Sequence, residues 1–213
     1  MREKIEKTIN NLEKNNISAY FVKTRSEVIP LIEKLVKKGA IVACGGSVTL
    51  DETGVLEHLH SGRYEFFDRY KEGLSREEVT DIFKKSFCVD AYFCSSNAVT
   101  EEGELYNVDG NANRISAIAF GPKKVIMVVG KNKIVPDLDS AVKRVKTIAA
   151  PKNCKRLSCD TYCFIKGHCA DMEGGIGKGC GSPARICRHY LVSAEQAQKD
   201  RINVIIVDED LGY

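Results

Sequence analysis

Several features that assign a protein to a familiar class are missing from this sequence. It has no tryptophan and only four histidines among its 213 residues, and no apolar run approaches the roughly 18 residues needed to cross a bilayer. The first residues, Met-Arg-Glu-Lys-Ile-Glu-Lys, lack the apolar stretch of a secretory signal. We therefore expect a cytoplasmic protein with no membrane association.

Cofactor and nucleic-acid signatures are missing as well. The chain has no G-x-G-x-x-G nicotinamide fingerprint and no flavin motif. Its 32 lysine and arginine residues are nearly balanced by 29 aspartate and glutamate residues, and the two signs alternate instead of forming the basic stripe of a nucleic-acid-binding protein. Since 43% of the residues are hydrophobic, the composition indicates a globular protein with a real core and no nucleic-acid partner.

The fold prediction rests on four short apolar runs: residues 40–44, 91–95, 125–129 and 204–207. Continuous apolar character over so few residues is typical of strands that are buried on both faces. Segments with amphipathic helical spacing lie between these runs, and such alternation predicts an α/β fold with a mainly parallel sheet flanked by helices in three layers. We expect one domain over residues 1–213, with a cysteine-rich C-terminal segment, 154–187, inside it.

Shorter signals add detail to this topology. Capping boxes are predicted to begin two helices at Thr49 and Ser75. A further helix is expected to begin at Asp139, and a short hairpin is expected around Leu105 and Val108.

The turn Gly45-Gly46-Ser47 follows the first apolar run and precedes a predicted helix. Ligands of open α/β sheets bind beyond the carboxyl ends of strands, and adjacent glycines allow a ligand to approach the backbone closely. The helix N-terminus favours an anion, and the hydroxyls of Ser47 and Thr49 add donors. The alternative is a plain tight turn in which Thr49 only caps the helix.

A polar stretch over residues 95–114 follows the second apolar run. Two polar strand ends in one sheet form a cleft, in which Arg114 would clamp a carboxylate through parallel hydrogen bonds and Glu101 or Glu102 would act as general base or nucleophile. The other candidate ligand-binding residues here are Asn97, Thr100, Asp109, Gly110 and Asn113. An ordinary polar loop, with Arg114 paired to a neighbouring acid, explains the same residues.

Six of the nine cysteines crowd into the C-terminal segment: Cys154, Cys159, Cys163, Cys169, Cys180 and Cys187. A reducing cytoplasm excludes a disulfide framework, and the spacing contains no C-x2-C pair. Four thiolates would suit either zinc or an iron–sulfur cluster, with His168 as an alternative ligand. The alternative is a set of free thiols, since cysteine also packs well in cores.

Several motifs in one order resemble the lactate-utilisation (LUD) domain family: Gly-Gly-Ser-Val-Thr-Leu from residue 45, Asn-Ala-Val-Thr-Glu-Glu-Gly-Glu-Leu from residue 97, Asn-Val-Asp-Gly-Asn-Ala-Asn-Arg from residue 107, Ser-Pro-Ala-Arg-Ile-Cys from residue 182 and Val-Asp-Glu-Asp-Leu-Gly from residue 207. The resemblance implies a fold similar to the superfamily of ribose-phosphate isomerase, glucosamine-phosphate deaminase and coenzyme A transferase. It singles out as metal ligands Cys163, Cys169, Cys180 and Cys187. The pair Thr100-Glu101 resembles the family and favours Glu101 as the reactive carboxylate, with Glu102 and Asp109 as alternatives.

The function that the resemblance implies is participation in L-lactate oxidation to pyruvate, with iron–sulfur and oxidoreductase proteins as redox partners. We expect the protein to bind a small anionic hydroxy or keto acid, or a phosphorylated ligand. Two alternatives stay open. The protein would be a metal-binding or iron–sulfur accessory subunit for electron transfer, or a superfamily enzyme that acts on an acyl or phosphorylated ligand.

Overall fold

The computed structural model describes residues 2–213, and ten strands form two sheets within that range. The strands are β1 (Ser18–Val22), β2 (Ile41–Cys44), β3 (Glu65–Phe66), β4 (Ala91–Cys94), β5 (Ala98–Thr100), β6 (Leu105–Asp109), β7 (Lys124–Gly130), β8 (Ile134–Val135), β9 (His189–Ser193) and β10 (Ile202–Val207).

The helices of the same residues alternate with these strands. They are α1 (Arg2–Lys14), α2 (Val28–Leu35), α3 (Val48–Glu52), α4 (Val55–Leu59), α5 (Arg76–Lys85), α6 (Asn113–Ala119), α7 (Leu138–Arg144), α8 (Ala150–Arg156) and α9 (Tyr162–Lys166). A π-helical stretch, Val145–Ala149, joins α7 to α8. Over residues 2–213, no helix has both the length and the apolar character that crossing a membrane requires.

Six strands form an entirely parallel sheet in the order β1-β10-β7-β4-β2-β3. All residues of β4 and β10 are buried, and so is β7 after its first residue. Burial on both faces explains why these strands appear in the sequence as continuous apolar runs. The predicted α/β fold, with a mainly parallel sheet flanked by helices, is therefore confirmed, and so are the four predicted buried strands.

Helices cover both faces of this sheet. On one face, Val28 and Ile32 of α2 pack with Leu50 of α3 against the apolar strands. On the other face, Leu12 of α1 and Ile118 of α6 close the core. Each helix contributes an apolar stripe, so burial of that stripe fixes its position on the sheet.

A second sheet, in the order β8-β5-β6-β9, was not predicted. Val99 and Leu105 of this sheet join the core beneath the parallel sheet, while Ala98 and Tyr106 pack against the continuous α7–α8 helix. β8 has two residues and β9 is largely half-buried or exposed. Neither strand has the apolar run that made the strands of the first sheet predictable.

One local prediction was wrong. Ser47, and not Thr49, caps α3, because the Ser47 hydroxyl accepts from the Leu50 amide at 3.4 Å. The predicted short hairpin is present as the antiparallel pair β5 and β6, with Leu105 and Val108 in its second strand and the turn at residues 101–104. The capping box at Ser75 is confirmed by reciprocal side-chain bonds with Glu78, of 2.7 and 3.2 Å.

Candidate functional site

A cleft of about 430 Å³ opens beyond the carboxyl ends of four central strands. Ser47 follows β2, Ser95 follows β4, Lys133 follows β7 and Tyr213 follows β10, and all four residues line the cleft. Because the strands are parallel, their carboxyl ends lie at one edge of the sheet, where ligands of open α/β folds bind.

Many residues that the sequence singled out line this cleft: Gly46, Ser47, Thr49, Asn97, Asp109, Gly110, Asn113 and Arg114. Three other predicted residues, Gly45, Thr100 and Glu101, do not line it. The polar segments that follow β2 and β4 therefore lie together, as the parallel sheet requires. Some of their side chains line the cleft, and others pack inside the protein or lie elsewhere on its surface.

Gly45 lies behind the cleft wall. A Cβ atom built on it would approach the Tyr92 hydroxyl at 3.0 Å and Arg114 Cδ at 3.1 Å. The absence of a side chain at Gly45 thus allows Arg114 to pack closely. The neighbouring Gly46 is more open, with the Tyr70 hydroxyl 3.6 Å from such an atom.

Arg114 is held within the protein. Its Nε and Nη2 atoms lie 3.0 and 2.8 Å from Asp109 Oδ1, and the two side chains are 12% and 9% exposed. Its other donors go to four oxygens: Ser95 O, Asn97 Oδ1, Asn107 Oδ1 and Val108 O. Because its donors are all used, Arg114 has no free edge with which to clamp a ligand carboxylate, and the pairing with a neighbouring acid accounts for it.

Asp109 is occupied as well. Besides its ion pair with Arg114, Oδ2 accepts from the backbone amides of Arg114 and Ile115, each at 2.9 Å. The carboxylate thus fixes the first turn of α6. Its negative charge is balanced inside the cleft wall and does not oppose an anionic ligand.

Glu101, predicted as the reactive carboxylate, lies outside the cleft. Its carboxylate oxygens are 3.6 Å from Lys4 Nζ and 3.5 Å from Lys7 Nζ, both on α1. Its neighbours behave similarly, since Glu102 pairs with Lys7 at 2.8 Å and Thr100 is fully buried. The turn between β5 and β6 therefore ties the second sheet to α1.

Lys133, which the sequence analysis did not single out, lines the cleft although it is only 3% exposed. Its Nζ atom donates to Thr49 Oγ1 at 2.8 Å and to Ser95 Oγ at 3.0 Å. Burial, and after it the charges of Arg144 and Arg114, lowers the pKa of Lys133 from 10.5 to about 7. Near neutral pH, a large fraction of this amine is uncharged.

Four arginines line the rest of the cleft without an ion-pair partner in the part of the chain that the structure describes: Arg69, Arg156, Arg185 and Arg188. Arg69 lies over the Phe83 ring at 4.8 Å, and its Nε is buried with no hydrogen-bond partner among residues 2–213. Arg156 donates to the Tyr213 hydroxyl at 2.9 Å. Arg185 donates to the Tyr190 hydroxyl at 2.7 Å.

The charge of the cleft is strongly one-sided. Five arginines line it, together with Lys133 and one carboxylate side chain, and that carboxylate, Asp109, is already paired with Arg114. A concave surface lined by unneutralised positive charge attracts anions and concentrates them. The sequence as a whole hides this asymmetry, because its total charge is only +3.

The predicted metal ligands Cys163, Cys169, Cys180 and Cys187 line a second, narrower cavity of about 20 Å³. Across residues 2–213, however, no three cysteine, histidine, aspartate or glutamate side chains are gathered so that they could hold a metal ion. The thiols share a cavity but do not surround a single point. Cys154 lies beside them, with its sulfur 3.5 Å from that of Cys163.

Two further cysteines, Cys44 in β2 and Cys94 in β4, lie in the parallel sheet and do not line this cavity. Burial raises the pKa of both Cys44 and Cys94 to about 12. Their thiols therefore stay protonated and unreactive at neutral pH.

The parallel sheet and its cationic cleft define an α/β protein whose site favours anions, and comparison with known proteins gives the family. A family model of the LUD domain matches residues 5–207, so the chain belongs to the LUD domain family. The chain is also similar to a crystal structure of a DUF162 family protein from Deinococcus radiodurans, with a TM-score of 0.52 and 16% identity over 97% of each chain. That likeness supports the fold alone. No curated protein matches the chain.

Proposed function

We propose that this LUD-domain protein binds a small oxyanion in the cleft, as part of lactate utilisation. The observation that carries the proposal is the set of cleft arginines without carboxylate partners, Arg69, Arg156, Arg185 and Arg188. A ligand with one or more carboxylate or phosphate groups supplies the missing negative charge. Family membership favours a hydroxy or keto acid of the lactate–pyruvate type, handled together with iron–sulfur and oxidoreductase partner proteins.

The arrangement of these cations supports a compact ligand. Arginine presents a planar set of donors that matches carboxylate and phosphate oxygens. Arg156 is held by Asn153 and Tyr213, and Arg185 by Tyr190 and the Cys187 carbonyl. Neutral partners orient each guanidinium without cancelling its charge, so less conformational freedom is lost when an anion binds.

The test is calorimetric titration of the purified protein with pyruvate, L-lactate and inorganic phosphate. Replacement of Arg156 or Arg185 by glutamine removes a charge-assisted contact, which is worth about 1.5–3 kcal/mol, and should weaken binding by roughly ten- to a hundredfold. Arg76→Gln is the matched control, since Arg76 is exposed at the start of α5 and away from the cleft.

Melting temperatures of the variants separate lost binding from lost folding. Preference for pyruvate or lactate over phosphate identifies an organic acid site, while the reverse preference identifies a phosphorylated ligand. Equal affinities in the wild type and in both cleft variants would show that these arginines do not bind the ligand, and would contradict the proposal.

A second candidate function is that of a metal-binding or iron–sulfur accessory subunit. It is favoured by the presence of Cys163, Cys169, Cys180 and Cys187 in the lining of one cavity. Because the thiols do not converge on one point, residues 169–187 would have to close around the metal. Such closure is feasible in a stretch that contains five glycines between Cys169 and Cys187: Gly174, Gly175, Gly177, Gly179 and Gly181.

Metal analysis and the visible absorption spectrum of anaerobically purified protein test this second candidate. Absorption near 400 nm with bound iron indicates a cluster, and stoichiometric zinc without colour indicates a structural site. The Cys180→Ser and Cys187→Ser variants should lose the metal, and Cys88→Ser, at an exposed cysteine outside the cavity, should keep it. Metal-free wild-type protein whose melting temperature a chelator leaves unchanged would argue against this function.

A further inference from the structure

Lys133 differs from the other buried lysine of the chain in the partners that surround its amine. Lys146, 6% exposed, donates to three backbone carbonyls, those of Asp171, Gly174 and Gly175. Lys133 donates to the hydroxyls of Thr49 and Ser95. Both hydroxyls donate onward to backbone carbonyls, those of Leu211 at 3.4 Å and Ser96 at 3.5 Å, and so accept from Nζ. Two acceptors match the two N–H bonds of a neutral amine, whose electron pair is then left free.

The position of Lys133 gives that amine access to a ligand but little access to bulk water. It lines the cleft, and the C-terminal segment packs closely over its other side. A Cβ atom built on Gly212 would lie 2.5 Å from Thr49 Oγ1 and 3.5 Å from Lys133 Nζ. A desolvated lysine in a ligand-binding cleft is the arrangement by which proteins activate an amine nucleophile.

We propose that Lys133 is a catalytic residue that forms a Schiff base with the carbonyl carbon of a 2-oxo acid in the cleft. This inference rests on the proposed function, because the unpaired arginines would hold the carboxylate while Lys133 reacts with the neighbouring carbonyl. It also selects among the proposed ligands. A hydroxy acid or inorganic phosphate has no electrophilic carbonyl carbon, whereas a 2-oxo acid has one beside its carboxylate.

The covalent step is balanced without an oxidant or reductant. The electron pair of Nζ forms a C–N bond to the carbonyl carbon, and the carbonyl π pair moves to oxygen, which takes up the proton that nitrogen releases. The hydroxyls of Thr49 and Ser95 lie within hydrogen-bond distance of Nζ to relay that proton. Loss of one water then forms the C=N bond, and addition of water reverses the step. The lowered pKa of Lys133 supports this role, since only the neutral amine attacks.

Reductive trapping tests the inference. Wild-type protein is incubated near pH 8 with pyruvate or glyoxylate and sodium borohydride, which delivers hydride to the imine carbon and leaves a stable secondary amine. Peptide mass spectrometry should then place one adduct at Lys133. For pyruvate, the added mass equals that of pyruvic acid less one oxygen atom. L-lactate, which lacks a carbonyl, should give no adduct.

Two lysine variants are the controls. Lys133→Arg keeps a positive charge but cannot form an imine, so the adduct should be lost. Lys131→Arg alters a lysine of the same turn that pairs with Asp208 at 2.9 Å outside the cleft, so the adduct should persist. Labelling spread over surface lysines, or equal labelling of urea-unfolded protein, would overturn the inference.

Calorimetry on the same samples separates the two proposals. Binding of pyruvate or glyoxylate without any adduct at Lys133 overturns the Schiff base and leaves the anion site standing. If no adduct forms and none of the tested anions binds, both the anion site and the Schiff base are overturned. Binding of phosphate alone retains an anion site and overturns the catalytic role of Lys133.

Discussion

Replacing Lys133 with methionine should stabilise the protein near neutral pH, and the gain should shrink as the pH rises. In the unfolded chain the amine has its ordinary pKa of 10.5, whereas burial lowers the pKa to about 7 in the folded protein. Between these values the unfolded state binds more protons than the folded state, so the wild-type protein becomes more stable with increasing pH. Methionine, similar in length and uncharged, removes this dependence.

The size of the effect follows from the two pKa values. The difference between 10.5 and about 7 makes burial of Lys133 cost about 4 kcal/mol at pH 7 and about 1 kcal/mol at pH 9.5. Methionine also loses the bonds to Thr49 and Ser95, each worth about 1 kcal/mol. We therefore expect Lys133→Met to be about 2 kcal/mol more stable than wild type at pH 7 and no more stable at pH 9.5.

Several charged or titratable groups face Lys133 and affect its pKa. Arg144 and Arg114 lower its pKa, whereas Glu52 and Cys94 raise it. Burial raises the pKa of Cys94 to about 12, so its thiol stays protonated in this range. Burial also lowers the pKa of Arg144 to about 10, so Arg144 loses part of its charge near pH 9.5, but it does so in both proteins and its own contribution cancels in their difference. The pH dependence of that difference should therefore reflect Lys133.

Urea denaturation of both proteins at several pH values, with a thiol reductant present, measures the difference in unfolding free energy. Lys131→Met is the control. A hydrogen bond to Asp208 raises the pKa of Lys131 above 10.5, so its contribution is constant below that pH and lost only above it. A difference between wild type and Lys133→Met that stays constant from pH 7 to 9.5 would refute the reasoning.

Three further substitutions check the assignment of individual residues. Arg114→Met leaves the buried Asp109 carboxylate unpaired, so urea denaturation should show a loss of about 3–5 kcal/mol; a loss below about 1 kcal/mol would mean that the pair has no structural role. Glu101→Gln should leave the calorimetric affinity for pyruvate and phosphate unchanged because Glu101 lies outside the cleft, and weaker binding would return it to the site. Gly103→Ala should lower the unfolding free energy by about 2–3 kcal/mol or more. The reason is that Gly103 has φ +86° and that a Cβ atom there would lie 2.5 Å from the Asn11 carbonyl carbon. A variant as stable as the wild type would show that the backbones at Gly103 and Asn11 separate easily.

The parallel sheet was predictable because its central strands are buried on both sides. β7 and β10 have almost no polar residue to interrupt the pattern, and each is followed by a helix or a glycine-containing turn. The second sheet was not predictable in the same way. Its strands owe their pairing to contacts such as Asp109 with His189, 80 positions apart in the sequence, and not to a local apolar run.

The position of the cleft was predictable, but the roles of its side chains were not. Parallel strands place their carboxyl ends together, so the turns after β2 and β4 had to meet. Arg114 and Asp109, five positions apart, form an ion pair in the structure. Arg114, the residue that the sequence favoured as the carboxylate clamp, is therefore not available to bind a ligand. Lys133 gives the opposite case, because lysine is ordinarily a surface residue and only the folded chain shows that this one is buried.

Residues 183–188 join the two candidate sites and explain why neither can be understood in isolation. Arg185 and Arg188 line the cleft, while Cys187 lines the thiol cavity. The Arg185 Nε atom donates to the Cys187 carbonyl at 2.8 Å and lies 3.3 Å from its sulfur. Because oxidation or ligation of that sulfur would change the contact that orients Arg185, we expect the chemical state of Cys187 to alter the affinity of the proposed anion site. Part of the segment 154–187, chiefly residues 183–186, therefore forms the wall of the cleft.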